Sequence, residues 1–165
     1  MNNERRFILV GAGGIGTWLA AGLVRLLEWK FPGSALIIVD GDTFEEKNKE
    51  RQDFIKLGNK AVVKAAELVP QFPNTTIIPL AKWVVDDNFA GVTDDDSPKI
   101  TASQLIREND VVFAVVDNFA VAVVVLVVEN HRLAAEVLVV GNRHLAAEVF
   151  VVGSHHLAVG NRHLV

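Results

Sequence analysis

The chain has 165 residues, half of them hydrophobic, so it can bury a sizeable core without disulfide or metal staples, and a disordered chain is excluded. Its 16 Lys+Arg against 20 Asp+Glu leave a net charge of −4, which offers no electrostatic footprint for a nucleic-acid backbone. The absence of cysteine removes disulfides, thiolate metal sites, thioredoxin-type redox chemistry and any cysteine nucleophile.

Met1 to Arg6 runs straight into a short apolar stretch, too brief for a signal-peptide core and without a small-residue cleavage site, which predicts a cytoplasmic protein. Phe7–Val10 reads as a buried strand. A glycine cluster follows, then Ile15, Leu19, Leu23, Leu26 and Leu27 on helical spacing. Strand, turn, helix is the opening of a βαβ unit. Ala35–Val39 is the second predicted strand, ending at Asp40, and Lys60–Val69 carries a helical pattern before Pro70. Thr75–Leu80 is the third predicted strand and Asp110–Val116 the fourth, with an acidic excursion over Asp86–Pro98 that reads as a solvated loop. The alternation predicts an α/β, Rossmann-like, doubly wound and mostly parallel sheet with helices on both faces.

The character of the chain changes near residue 120. All five prolines and all three tryptophans lie before it, and all five histidines after it. Residues 1–120 read as a nucleotide-binding domain, and 121–165 as an atypical valine-rich tail packed on or extending the sheet. In that tail Leu133-Ala134-Ala135-Glu136-Val137 returns as Leu145-Ala146-Ala147-Glu148-Val149, a twelve-residue period. The valine runs suggest a hairpin meander, whereas the Leu-Ala-Ala-Glu segments would equally start short helices. His131, His144, His155, His156 and His163 fall in or near the turns of this repeat and read as polar turn residues; stacking of His144 and His156 around a metal is the less favoured alternative. The longest apolar run, Phe119–Val128, falls well short of the ~20 residues that cross a bilayer, so no membrane span is expected.

Gly11-Ala12-Gly13-Gly14-Ile15-Gly16 is a G-x-G-x-x-G between a predicted strand and a predicted helix, the context that gives this pattern its meaning. Gly11 permits a tight turn, Gly13 and Gly14 bring backbone close to a ligand, and Gly16 allows close packing, while free N–H groups at the helix start attract phosphate. Asp40 lies 24 residues after Gly16, where a ribose hydroxyl is gripped. The plainer alternative is a glycine-rich turn. So far NAD and ATP fit equally well.

The residues that follow discriminate. Asp40-Gly41-Asp42-Thr43 leads to Asn48-Lys49-Glu50-Arg51-Gln52, then Gly58-Asn59-Lys60, and the fourth strand ends in Val116-Asp117-Asn118. This ordered set resembles the ThiF/MoeB/HesA group of the ubiquitin-activating-enzyme superfamily, over roughly residues 6–121. The resemblance implies an ATP-dependent adenylyltransferase that activates the C-terminal carboxylate of a small ubiquitin-like or sulfur-carrier protein and works as a homodimer. It further implies that Arg51 holds the phosphates, Lys60 neutralises charge near the α-phosphate, Asp117 holds Mg²⁺, Asp40 and Asp42 serve the ribose side, and Asn48 and Gln52 support the polyphosphate pocket. Taken singly, Arg51 and Lys60 read first as solvated surface cations and Asp117 as a helix cap; it is their order along the chain that favours the functional reading.

Two departures stand out. Relatives place an arginine about five residues after the aspartate, where this chain has Ala122, and no cysteine is available for a thioester, a persulfide or a Cys-x-x-Cys zinc site. Two other readings stay open: an NAD-binding oxidoreductase domain, supported by the glycine motif and Asp40, and a noncatalytic nucleotide-binding scaffold that oligomerises through the tail.

Overall fold

The computed structural model describes residues 5–46, 54–85, 97–115, 122–129, 132–139 and 146–152, the last three stretches as backbone. The first element is β1 (Arg6–Val10), whose side chains are buried alternately on its two faces. The chain turns at Gly11, where φ is 94°, a conformation that a side chain disfavours, and enters α1 (Gly14–Lys30). Helix α1 presents Ala20, Leu23, Val24 and Leu27 to the sheet. Its opposite side carries Ile15, Trp18, Leu26 and Trp29, all exposed, so Ile15 and Leu26, though on helical spacing, do not belong to the core stripe.

Strand β2 (Ala35–Val39) is buried along its whole length, as a strand covered on both faces must be. After it come the two-residue strands β3 (Thr43–Phe44) and β4 (Gly58–Asn59), which pair antiparallel, then α2 (Lys60–Leu68), which a 3-10 turn at Val69–Gln71 ends. The remaining elements are β5 (Thr76–Leu80), β6 (Trp83–Val85), β7 (Lys99–Thr101), α3 (Ala102–Leu105), β8 (Val111–Ala114), β9 (Ala122–Glu129), β10 (Arg132–Val139) and β11 (Ala146–Val152).

One seven-stranded sheet runs in the order β11-β10-β9-β8-β1-β2-β5. Its centre, β8-β1-β2-β5, is parallel throughout. Helices α1 and α2 share one core cluster with Phe7, Leu9, Leu36 and Ile38, while Leu105 of α3 packs with Ile8, Ile37, Val39 and Val112 on the reverse face. The α/β fold with helices on both faces is therefore present. The chain proceeds from β1 outward to β2 and β5, then returns to the other side of β1 for β8, and the reversal creates a switch point between β1 and β8.

The described stretches of the tail are strands. Strands β9, β10 and β11 form an antiparallel meander that continues the sheet from β8, and Leu133–Glu136 and Ala146–Glu148 are strand, not helix. Only residues 115–121 separate β8 from β9, too few for the crossover of a dozen or more residues that a parallel neighbour needs, so β9 must return antiparallel. Among the described residues no helix is long and apolar enough to cross a membrane.

Two glycines of α1 separate a structural role from none. A Cβ at Gly16 would run into the carbonyl oxygen of Gly11, whereas one at Gly22 meets nothing. Gly22→Ala is expected to raise unfolding free energy by about 0.5–1 kcal/mol through backbone entropy, and Gly16→Ala to lower it by about 1–3 kcal/mol through overpacking. Urea denaturation of the two variants checks the opposite signs.

Candidate functional site

The carboxyl ends of β1 and β2 lie side by side, paired through Val10 and Val39, and Gly11 N–H donates to the Val39 carbonyl at 2.8 Å. Helix α1 opens with Gly13 as its N-cap, without a capping side chain and without an acidic residue in its first turn. Such a start leaves backbone donors for an anion. Thr17 Oγ1 turns back to the carbonyls of Gly13 and Gly14, at 3.1 and 3.0 Å, and braces the first turn.

Asp40 joins the two strand ends. Its Oδ2 accepts from Ala12 N–H at 2.6 Å and its Oδ1 from Asp42 N–H at 2.8 Å. Burial pushes this carboxyl above its ordinary value, against the opposite pull of the two N–H donors and of the Lys60 charge. Each carboxylate oxygen has a second lone pair, so the group keeps acceptor capacity after both bonds are made.

Lys60 and Asp42 are brought together as an ion pair, Nζ on Oδ2, with the lysine side chain 7% exposed and the aspartate 49%. The helix start holds the lysine there. Lys60 N–H donates to the Asp42 carbonyl at 3.0 Å, and Asn59 Nδ2 bridges the carbonyls of Asp40 and Asp42 at 2.9 and 3.0 Å while its Oδ1 caps Val62 N–H. Asn59 is a residue that motif reading passes over as spacing between Gly58 and Lys60. Its signal was an Asn immediately before a helical pattern, the usual N-cap position.

A second lysine supports the same helix. Lys64 is fully buried, donates to Glu67 Oε2 at 2.9 Å, and places Nζ 5.2 Å from the centroid of Phe54, whose ring packs on Phe44 at 4.6 Å. Beyond Asp40, Gly41 is covered by the indole of Trp83. Of the predicted site residues, the structure brings together Gly11, Gly13, Gly14, Gly16, Asp40, Asp42 and Lys60 at one edge of the sheet. Asn48, Arg51, Gln52, Asp117, the five histidines and the acidic stretch 86–96 lie outside the described residues. Among the described residues no three His, Cys, Asp or Glu side chains form a metal-sized cluster.

The ThiF family model matches residues 2–141, which carries the match some 20 residues past the last motif legible by eye and into the valine-rich region. Among solved structures, the E. coli tRNA N6-threonylcarbamoyladenosine dehydratase TcdA is similar, with a TM-score of 0.51 and 24% identity, over 70% of this chain and 42% of that one. The chain thus spans less than half the length of that structure. No curated protein matches it.

The raised carboxyl of Asp40 sets a direction for pH dependence. A folded-state value above the unfolded one means that its contribution to stability is present below the unfolded value and lost as pH rises through the folded one. The stability of the wild type relative to Asp40→Asn is therefore expected to fall as pH is raised from below about 4, the ordinary carboxylate value. Urea titrations of both proteins across that range measure the difference, and a difference that grows with pH contradicts it.

Proposed function

The chain belongs to the ThiF family, and from that premise we propose that it is an ATP-dependent adenylyltransferase domain acting on the C-terminal carboxylate of a small ubiquitin-like or sulfur-carrier protein. The observation that carries the reading is the Lys60 cation, held on Asp42 beside the Asp40 carboxylate and the uncapped start of α1. A nicotinamide cofactor would use the glycine turn and Asp40 but has no need of that cation.

In the proposed reaction an oxygen of the carrier's carboxylate attacks the α-phosphorus of ATP, the bond from that phosphorus to the bridging oxygen breaks, and pyrophosphate leaves with the electron pair. No proton has to move. The barrier lies in charge on phosphoryl oxygens, so positioned donors and cations are the catalytic means. The backbone N–H groups at Gly13 and Gly14 meet the phosphates. Asp40 accepts from the ribose through its remaining lone pairs, and Lys60 exchanges Asp42 for a phosphate oxygen at the reacting centre. Arg51, with Asn48 and Gln52, would serve the polyphosphate, and Asp117, which follows β8 in the chain, would hold Mg²⁺, which would supply further neutralisation of phosphate charge. TcdA acts on a modified adenosine of tRNA. The net charge of −4 in this chain favours a carboxylate carried by a protein.

Thermal unfolding with Mg-ATP, ATP plus chelator, and NAD tests the reading. Mg-ATP at a hundred times its dissociation constant is expected to add about 2.7 kcal/mol of stability. Chelation, Lys60→Ala and Asp117→Ala should each remove most of that gain. Stabilisation by NAD alone, or by none of the three, overturns the assignment.

A further inference from the structure

Trp83 lies against Gly41, the residue after Asp40, and belongs to neither core cluster. Within β6, Val84 packs on the cluster that contains Ile8 and Ile37, and alternation along the strand sends Trp83 the other way. The indole lies flat on Gly41. A Cβ added at that glycine would come within 2.6 Å of Cδ1, Cδ2 and Cε2 together, which puts it over the ring face and not at its edge. Even so, Trp83 remains 42% exposed. The strand is pinned by Trp83 N–H on the Pro98 carbonyl at 2.9 Å and by parallel pairing with β7, so the indole is carried on a fixed backbone.

Its position continues a line across the sheet edge. The anion-binding turn stands at the end of β1, the ribose acceptor Asp40 at the end of β2, and Asp40 N–H reaches the Leu80 carbonyl at the end of β5 at 3.1 Å. Three residues after Leu80 comes Trp83. A nucleotide laid with its phosphates on α1 and its ribose on Asp40 would continue along this line toward β5.

We infer that Trp83 is the stacking platform for the nucleotide base, that Gly41 is small in order to seat the indole, and that this surface selects purine over pyrimidine nucleoside triphosphates. The inference rests on the nucleotide-binding reading above and adds to it the residue that recognises the base. Stacking on an open indole grows with the overlapping ring area, which is larger for a bicyclic purine.

The test uses the full chain with Trp18→Phe and Trp29→Phe, both positions being exposed on α1, so that Trp83 is the sole indole. ATP, CTP and inorganic tripolyphosphate are titrated with Mg²⁺ by fluorescence and by calorimetry. ATP is expected to quench Trp83 and to bind more tightly than CTP. Trp83→Ala should weaken ATP about tenfold, within the range of base–aromatic stacking, and leave tripolyphosphate unchanged, while Trp83→Phe keeps most of the affinity. Gly41→Ala, which displaces the ring without removing it, should weaken ATP and spare tripolyphosphate, and it decides the matter if Trp83→Ala does not fold. Equal ATP affinity in wild type and variants, or tighter binding in Trp83→Ala because the indole fills the base position, overturns the inference while leaving the adenylation reading intact. If neither ATP nor tripolyphosphate binds the wild type, both fall together.

Discussion

The bond from Ala12 N–H to the Asp40 carboxylate holds the turn after β1 to the turn after β2, and most of the candidate site is arranged around it. The same carboxylate takes Asp42 N–H, which fixes the backbone whose carbonyls Asn59 bridges and whose side chain Lys60 engages. Burying a carboxylate is unfavourable, and the upward displacement of its titration records that. Charge-assisted bonds to two backbone donors offset part of the penalty. What results is a half-buried acceptor already oriented before any hydroxyl reaches it.

The central half of the fold was legible because its signals are local. Strands β1, β2 and β5 are short apolar runs bounded by turn residues, and α1 is a long apolar segment opened by a glycine turn, so their ends fall within a few residues of expectation. The glycine motif and the Asp-x-Asp were readable by spacing, and the structure places Lys60 beside Asp42 although 18 residues separate them. Elsewhere the information is not local. Strands β3, β4 and β6 are two or three residues long, too short to show a period, and the seat of Trp83 on Gly41 joins positions that no sequence rule connects. In the tail, Leu-Ala-Ala-Glu is compatible with helix and with strand, and only pairing with β9 and β11 decides. The side on which Ile15 and Leu26 fall could not be separated from the core face by apolar spacing, because Ala20 and Val24 supply the contacts that larger residues were expected to make.

The sheet is composed of two regimes meeting at β8. On one side strands are joined by helical crossovers and lie parallel; on the other, short connections force a meander. The family match extends to residue 141, so it takes in β9 and all of β10. Strand β8 pairs with β1 in parallel and with β9 antiparallel, and its carboxyl end leads directly to residues 116–121, where Asp117 stands.

The two core faces also differ in how much of the chain they need. The cluster under α1 and α2 draws on Phe7 through Ile77, with Val115 the single later contributor among its buried members, whereas the reverse face requires Leu105 and Val112. Contacts that close short loops form at lower entropic cost than those that close long ones. During synthesis from the amino terminus, the glycine turn, Asp40 and Lys60 can thus be drawn together on one covered face before β8 has left the ribosome. The pairing of β8 with β1, which sets Phe7 opposite Val111, closes the second face and bounds the crevice at the switch point.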